Sequence, residues 1–181
     1  MIRAPDYAEP VVGWRVWAVT ETDRELRLRS LVFENTWLPG QAFAADCGDR
    51  PGSIARLWRR TPRAHPAPEA SCRCGIYATK RLADIARYAR CLGSRPSTVL
   101  HRAVGRVALW GSVLEHTGGW RAARAYPLEL FVPLPPGRQR RAESVALALT
   151  DYGVRVELVE AANAADLVGV LAHGAAASIA A

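Results

Sequence analysis

The sequence contains no apolar stretch of the eighteen or more residues that a membrane-spanning helix needs. The first residues, Met1–Asp6, also lack the basic and then apolar pattern of a secretory signal. We therefore expect a cytoplasmic protein that makes no membrane contact. In that compartment the four cysteines are expected to be reduced thiols or metal ligands, because disulfide frameworks belong mainly to short secreted domains.

Lysine is almost absent, and Lys80 is the only one among 24 basic residues. The formal net charge is +7 and the isoelectric point is near 9.8, a balance that favours nucleic acid as a partner. Heavy use of arginine and alanine is equally typical of GC-rich coding, so local clusters count for more than the total. A charge run is also typical of a solvated face. Arginines cluster at positions 56, 59, 60 and 63, and again at positions 138, 140 and 141.

Common catalytic and nucleotide-binding motifs are missing as well. The chain has no P-loop, no dinucleotide-binding fingerprint and no Gly-x-Ser-x-Gly elbow. No nucleophile with a matching base is indicated by spacing. The sequence therefore leaves open whether the protein is an enzyme.

Three of the four cysteines and one of the four histidines fall in one stretch of the chain, at Cys47, His65, Cys72 and Cys74. Thiolate and imidazole ligands in this proportion are typical of a closed structural zinc site. Closing the loop over 47–74 with a metal would offset the entropy cost of ordering it. The one-residue spacer in Cys72-Arg73-Cys74 also occurs in redox-active thiols and iron–sulfur sites, so an iron–sulfur cluster, a redox pair and ordinary buried cysteines remain alternatives.

A second group of polar and aromatic residues surrounds a predicted turn between two apolar strands. An acid, an imidazole and a guanidinium can move protons on an anionic substrate, while arginine and tryptophan can hold a phosphate and stack a base. A solvated hairpin end is the structural alternative. The candidate ligand-binding residues are Trp110, Glu115, His116, Trp120, Arg121, Arg124 and Tyr126.

In the first half of the chain, β-branched and aromatic residues predict a strand over 11–19. A second strand is expected over 26–33, with its arginines in water and a buried run at its end; Asp23 lies at the turn between the two. Helical spacing from Leu82 onward predicts a helix over 80–92 that Thr79 caps.

In the second half, apolar residues over 104–132 predict an antiparallel pair, with bulges or close backbone approach at Gly105 and Gly111. A proline-rich break at 133–137 then precedes a helix, a strand and a second helix. We expect this segment to pack on the barrel or on a partner, because it is too small to be stable alone.

These elements predict an α+β fold: a mainly antiparallel, partly closed β-barrel over 11–133, with one packed helix and a metal-clamped loop. A C-terminal αβα extension completes it. The expected domains are a β-rich unit over 1–133, and a linker with the small extension over 134–181.

Several motifs carry a resemblance to a known group. The segments His65-Pro66-Ala67-Pro68 and Cys72-Arg73-Cys74-Gly75-Ile76-Tyr77-Ala78, with others over 105–127, resemble those of a family of uncharacterised prokaryotic proteins. The resemblance covers residues 13–132 and implies one folded unit. It provides no catalytic residue that could be assigned to this chain. The strand order is also similar to the small PUA-like barrels, including ASCH domains, which implies binding to RNA or modified nucleotides.

The leading hypothesis from sequence is a non-enzymatic, zinc-stabilised module that binds RNA, DNA or a nucleotide. A small enzyme that acts on an anionic ligand through His116, Glu115 and Arg121 is one alternative. A protein-interaction adaptor that uses the C-terminal extension is another.

Overall fold

The computed structural model describes residues 3–4, 9–32, 35–47, 65–90 and 99–179, which form an eight-stranded sheet with three α-helices. The expected α+β class is confirmed. The strands are β1 (Arg3–Ala4), β2 (Val11–Thr22), β3 (Glu25–Ser30), β4 (Phe43–Ala44), β5 (Ile76–Thr79), β6 (His101–His116), β7 (Gly119–Leu134) and β8 (Arg155–Glu160). The helices are α1 (Ala86–Arg90), α2 (Gln139–Leu149) and α3 (Ala164–Ile179), with 3₁₀ turns at Leu82–Ile85 and Thr150–Tyr152.

Backbone pairing in the sheet runs in a ring. Strand β2 pairs with β6, β6 with β7, and β7 with β5, all antiparallel. The pairing of Trp14 with Thr79 joins β5 back to β2. Strands β2, β6, β7 and β5 thus close a ring of backbone pairing. The partly closed barrel itself stays a prediction.

Alternation along β2 assigns its side chains to two hydrophobic cores. Trp17 and Val19 belong to the larger core, whereas Val16 and Ala18 belong to a second core on the other face, under α1 and α3. Successive strand residues point to opposite faces, so a strand with both faces covered is apolar throughout. The turn that follows β2 is built by Asp23 and Arg24 at φ 52° and 66°, as the position of Asp23 predicts.

The long β6–β7 hairpin confirms the predicted antiparallel pair and its two glycine irregularities. A Cβ at Gly105 would lie 2.1 Å from the Glu129 carbonyl oxygen, and Gly111 has φ +72°. Register shifts occur beside both glycines. Gly105 is therefore required because strand packing leaves no room for a side chain. Gly111 is required because of its backbone conformation.

The segment after the proline-rich break packs on the sheet and extends it. Strand β8 pairs in parallel with the end of β7, from Glu129 with Arg155 to Leu134 with Glu160. Leu149 and Tyr152 enter the same core as Trp17. Within the described residues, no helix combines the length and apolar character needed to cross a membrane.

One prediction about the first half of the chain is confirmed in part, and another is wrong. The expected helix over 80–92 is a 3₁₀ turn followed by the five-residue α1, and residues 91–98 lie outside those described. Thr79 does not cap it, because Thr79 ends β5 and its hydroxyl donates to the Arg81 carbonyl at 3.0 Å. Strand β5 competes for these residues, since its pairing with β7 fixes them in an extended conformation.

The second strand also differs from its prediction. Only 12% of the Arg27 side chain is exposed, because Arg27 forms ion pairs with Glu25 and Asp151 instead of extending into water. Val32 is 52% exposed although a buried run was expected there. Phe33, Cys91, most of the predicted loop (48–64) and the arginines at 56–63 lie outside the described residues.

Candidate metal centre

The four predicted metal ligands meet at one edge of the sheet because two short strands pair with the same long one. Cys47 follows β4, which pairs with β7 at Ala125, and Cys74 precedes β5, which pairs with β7 from Ala122. A further bond from the Ala45 amide to the Ala123 carbonyl, at 2.7 Å, keeps the chain beside β7 after β4 ends. The sheet thus brings together two cysteine segments that are 25 residues apart.

The donor atoms of Cys47, His65, Cys72 and Cys74 all lie within 4.8 Å of one another, and all four residues are half-buried. The Cys47 sulfur is 3.1 Å from His65 Nε2 and 3.6 Å from the Cys72 sulfur. In a tetrahedral zinc site with bonds of about 2.3 Å, neighbouring sulfurs are about 3.8 Å apart. The cluster therefore has the dimensions of a single-ion site and could hold a metal ion.

The His65 ring is oriented by a backbone acceptor. Its Nδ1 lies 3.1 Å from the Pro66 carbonyl, which can only accept, so Nδ1 carries the proton. The lone pair is then on Nε2, the atom that faces the sulfur of Cys47. Metal-binding histidines are commonly fixed in this way, with the second ring nitrogen donating to a carbonyl or carboxylate.

The pKa values of the Cys47 and Cys72 thiols shift in opposite directions. A hydrogen bond from the Cys74 backbone N–H lowers the pKa of Cys72 to about 7, whereas burial and the neighbouring thiols raise the pKa of Cys47 to about 12. The first proton therefore leaves Cys72, and the resulting charge opposes ionisation of Cys47. A bound cation would remove this conflict, because metal coordination favours every thiolate at once.

Arg121 of β7 fastens the cysteine loop to the sheet. It is 3% exposed, and Nη1 donates to the carbonyls of Cys72 and Cys74, the latter at 3.1 Å. Nη2 donates to the Glu69 carbonyl at 3.3 Å, and Nε donates to His116 Nε2 at 2.9 Å. One buried guanidinium thus donates to three backbone carbonyls of the loop.

Gly75 and Tyr77 complete the support of the cysteine loop. Gly75 has φ +114°, and a Cβ there would lie 2.9 Å from Cβ of Pro68 and 3.3 Å from Cβ of Arg121. The Tyr77 hydroxyl donates to the Arg73 carbonyl at 2.8 Å, with its ring beside the Arg121 guanidinium. The chain between Cys74 and β5 therefore requires glycine for both its conformation and its close packing.

The predicted ligand-binding residues at the hairpin end serve several different contacts. Glu115 forms an ion pair with Lys80, whose ammonium lies 5.6 Å from the Trp120 ring centroid. The Tyr126 hydroxyl accepts from the Gly40 amide at 2.7 Å and donates to the Tyr152 carbonyl at 2.9 Å.

The remaining members of that set divide between the cysteine loop and the surface. His116 and Arg121 bond to each other, and Arg121 turns toward the cysteine loop. Arg124 is exposed and pairs across the hairpin with the half-buried Trp110. Two surface depressions, of about 490 and 550 Å³, are lined by other residues, including Thr22 and Arg138.

His116 is neutral in this arrangement. Its Nε2 accepts the Arg121 Nε–H, so the ring proton is on Nδ1. Burial lowers the pKa of His116, and the Arg121 charge lowers it further. An imidazole that is already engaged through Nε2 favours a structural role over proton transfer.

The sequence does not indicate the acceptor residues that shape the site. The carbonyls of Glu69 and Pro66 act through the backbone, which carries no side-chain signal. The signal for Gly75 was its position directly after Cys-x-Cys.

Comparisons of the chain with protein-family models, with curated proteins and with solved structures find no match.

Proposed function

We propose that Cys47, His65, Cys72 and Cys74 bind one zinc ion, and that this ion holds the 47–74 segment against the sheet. The observation that carries the proposal is the convergence of four soft and borderline donors within 4.8 Å. With all four positions supplied by the chain, no coordination position is left for a substrate. The zinc is therefore structural, and the protein is a zinc-stabilised binding module.

The size and charge of the cluster favour zinc over an iron–sulfur cluster. Irons and bridging sulfides would separate the cysteine sulfurs, so donors this close fit a single ion better. Zn²⁺ with three thiolates and a neutral imidazole carries a net charge of −1. The buried guanidinium of Arg121, bonded to the carbonyls of Cys72 and Cys74, supplies the compensating positive charge.

Metal content and chelation test this proposal. Protein purified without added metal should contain about one zinc per chain, and a strong chelator should lower the melting temperature by about 10 °C, equivalent to about 3 kcal/mol. Cys74→Ser should lose the metal. Cys91→Ser is the matched control and should retain it. Reduced protein that carries no metal and melts at the same temperature with chelator would contradict the proposal.

A second proposal concerns the partner of the module. Arg138, Arg140 and Arg141 are exposed at the start of α2, where the first turn has no acidic residue. Positive side chains at the positive end of a helix dipole are unfavourable, and a phosphate backbone would relieve this cost. We propose that this cluster contacts RNA or DNA.

Salt dependence tests the nucleic-acid proposal. Affinity for single-stranded RNA and DNA should fall steeply as salt rises, and the triple Arg→Gln variant should reduce the slope by about two to three. Arg155→Gln on β8 is a control with one charge removed elsewhere. Absence of binding even at low ionic strength would exclude the nucleic acids and favour a protein partner.

The enzyme alternative has weaker support. Glu115 and His116 engage different partners, Lys80 and Arg121, and Arg121 is buried with its donors directed at backbone carbonyls. These three groups therefore do not present a shared surface to a substrate.

A further inference from the structure

Arg15 lies on the face of β2 that is turned toward the larger core, two residues before Trp17. Its Nη1 donates to the Tyr77 carbonyl and its Nη2 donates to Ser30 Oγ at 3.2 Å. The guanidinium carbon lies 5.1 Å from the Trp37 ring centroid and 5.9 Å from that of Trp17. A charged group thus lies beside two indole rings and one hydroxyl.

The charge of Arg15 has no carboxylate partner among the described residues. A guanidinium has five N–H donors, and two of them make the bonds given above. Nε is buried without a hydrogen-bond partner. Burial lowers the pKa of Arg15 to about 10, so the surroundings disfavour the positive charge. Buried arginines are normally paired, which leaves this one unexplained by the fold.

Ser30 adds a second unmatched donor at the same place. Its Oγ accepts from Arg15 Nη2 and from Trp37 Nε1, the latter at 3.1 Å, so both lone pairs are used. The hydroxyl proton then remains available, and the described residues give it no acceptor. Ser30 is only 5% exposed, so water replaces that acceptor poorly.

Arg121 shows what a satisfied buried arginine looks like in the same chain. Its three nitrogens reach four acceptors. Arg15 reaches two, and it remains half-buried with part of its surface accessible. The difference between the two arginines is the number of acceptors that their guanidinium groups reach among the described residues.

We propose that Arg15 and Ser30 bind an oxyanion, the phosphate or carboxylate group of a small molecule, at the accessible side of the Arg15 guanidinium. The anion accepts from the guanidinium N–H groups and from the Ser30 hydroxyl. It neutralises the charge that has no carboxylate partner among the described residues. This site is separate from the zinc ligands and does not depend on them.

Titration of zinc-loaded protein with inorganic phosphate and, separately, with acetate tests the site at constant ionic strength. At a hundredfold excess over Kd, the matching anion should raise the melting temperature by about 5–10 °C. Calorimetry should give one binding event per chain. A response to phosphate alone identifies a phosphorylated ligand, and a response to acetate alone identifies a carboxylate.

Three variants locate the binding. Arg15→Met, which is similar in length and apolar, should weaken the anion at least 100-fold, and Ser30→Ala should weaken it about tenfold. Arg155→Met removes the same charge from the exposed surface of β8 and should leave the affinity unchanged.

Several outcomes would overturn the site. One is wild-type protein that responds to neither anion, which needs no variant to fold. Another is loss of binding in Arg155→Met rather than in Arg15→Met. A third is an Arg15→Met protein that is more stable than wild type while phosphate and acetate stabilise neither, because the indole rings would then satisfy the guanidinium alone. Metal content measured on the same samples separates this failure from that of the zinc proposal.

Discussion

At the scale of single residues, Arg121 bonds to the cysteine loop at three backbone carbonyls. Its guanidinium joins Glu69, Cys72 and Cys74 to β7 through their carbonyl oxygens. A lysine could not reproduce this contact, because an ammonium lacks the planar arrangement of donors. Arg121 therefore adds side-chain bonds to the strand pairing that positions these two cysteines relative to the sheet.

Replacing Arg121 by methionine should lower the free energy of unfolding by about 3–5 kcal/mol. The loss follows because the carbonyls of Cys72 and Cys74 would lose this donor, each costing about 1–3 kcal/mol, while the Glu69 carbonyl would keep the bond from the Cys72 amide. Urea denaturation of metal-loaded protein measures it. Arg124→Met, three residues along the same strand and exposed, should change stability by less than about 0.5 kcal/mol. Similar losses in both variants would show that Arg121 does not brace the loop.

His116 gives the fold a dependence on acid. Because burial and then the Arg121 charge lower the pKa of folded His116, the unfolded chain takes up this proton first as pH falls. The contribution of His116 to stability is complete above the unfolded pKa of about 6.5 and is lost between that value and the lower folded pKa. His116→Gln keeps an acceptor for Arg121 and removes the titration.

Unfolding measured between pH 7.5 and 5 should therefore show a shallower loss of stability in His116→Gln than in wild type. His101, whose pKa burial also lowers, is common to both proteins and cancels in the comparison. Identical pH profiles would contradict the assigned tautomer of His116.

Residue types and spacing predicted the set of cysteines and His65 that the fold brings together. Soft ligands that lie close in sequence leave few other combinations of residues for a metal site. They did not predict the use of Arg121. A charged residue beside a turn is usually solvated, and only the pairing of β5 with β7 places the guanidinium under the loop. For the same reason the hairpin-end residues were grouped as one site, although their contacts divide them.

At the scale of elements, the entry to β5 depends on the backbone of Gly75. Gly75→Ala should destabilise the protein by about 2–3 kcal/mol, since a Cβ there meets Pro68 while φ stays at +114°. Gly118→Ala in the β6–β7 turn is the matched control, because nothing lies within 4 Å of its added carbon. Chemical denaturation of both variants measures the difference, and a neutral Gly75→Ala would contradict the packing described.

Elements with strong local signals followed their predictions. Strands β2, β6 and β7 and the segment from α2 to α3 were anticipated from long apolar patterns and turn residues. The four-residue β5 was not, because so short a strand exists through its partners rather than its own sequence. Its pairing also explains why the expected helix begins late and without a threonine cap.

At the scale of the whole molecule, Tyr152 connects the C-terminal segment to the sheet. Its hydroxyl accepts from the Leu28 amide at 2.9 Å and donates to the Trp37 carbonyl at 2.6 Å, inside the larger core. Tyr152→Phe should lower the free energy of unfolding by about 2–4 kcal/mol, because both backbone groups would lose their partner. The hydroxyl of Tyr88 accepts from the exposed Arg87, so Tyr88→Phe should leave the free energy of unfolding nearly unchanged.

The same comparison examines the predicted boundary near residue 134. If the two parts unfold together, Tyr152→Phe shifts one cooperative transition monitored by tryptophan fluorescence. A separate early transition, with the remainder unchanged, would instead support an independent extension.

The dependence on β7 sets an order for synthesis. Strands β2 and β3 can pair as soon as they leave the ribosome, but β4, β5 and β8 all pair with Gly119–Leu134. The cysteines and His65 are made well before that strand, and Arg121 belongs to it. The nascent chain therefore carries its soft ligands for a time without the strand that organises them. If the proposed zinc binds there, its supply during translation would influence how much protein reaches the native state.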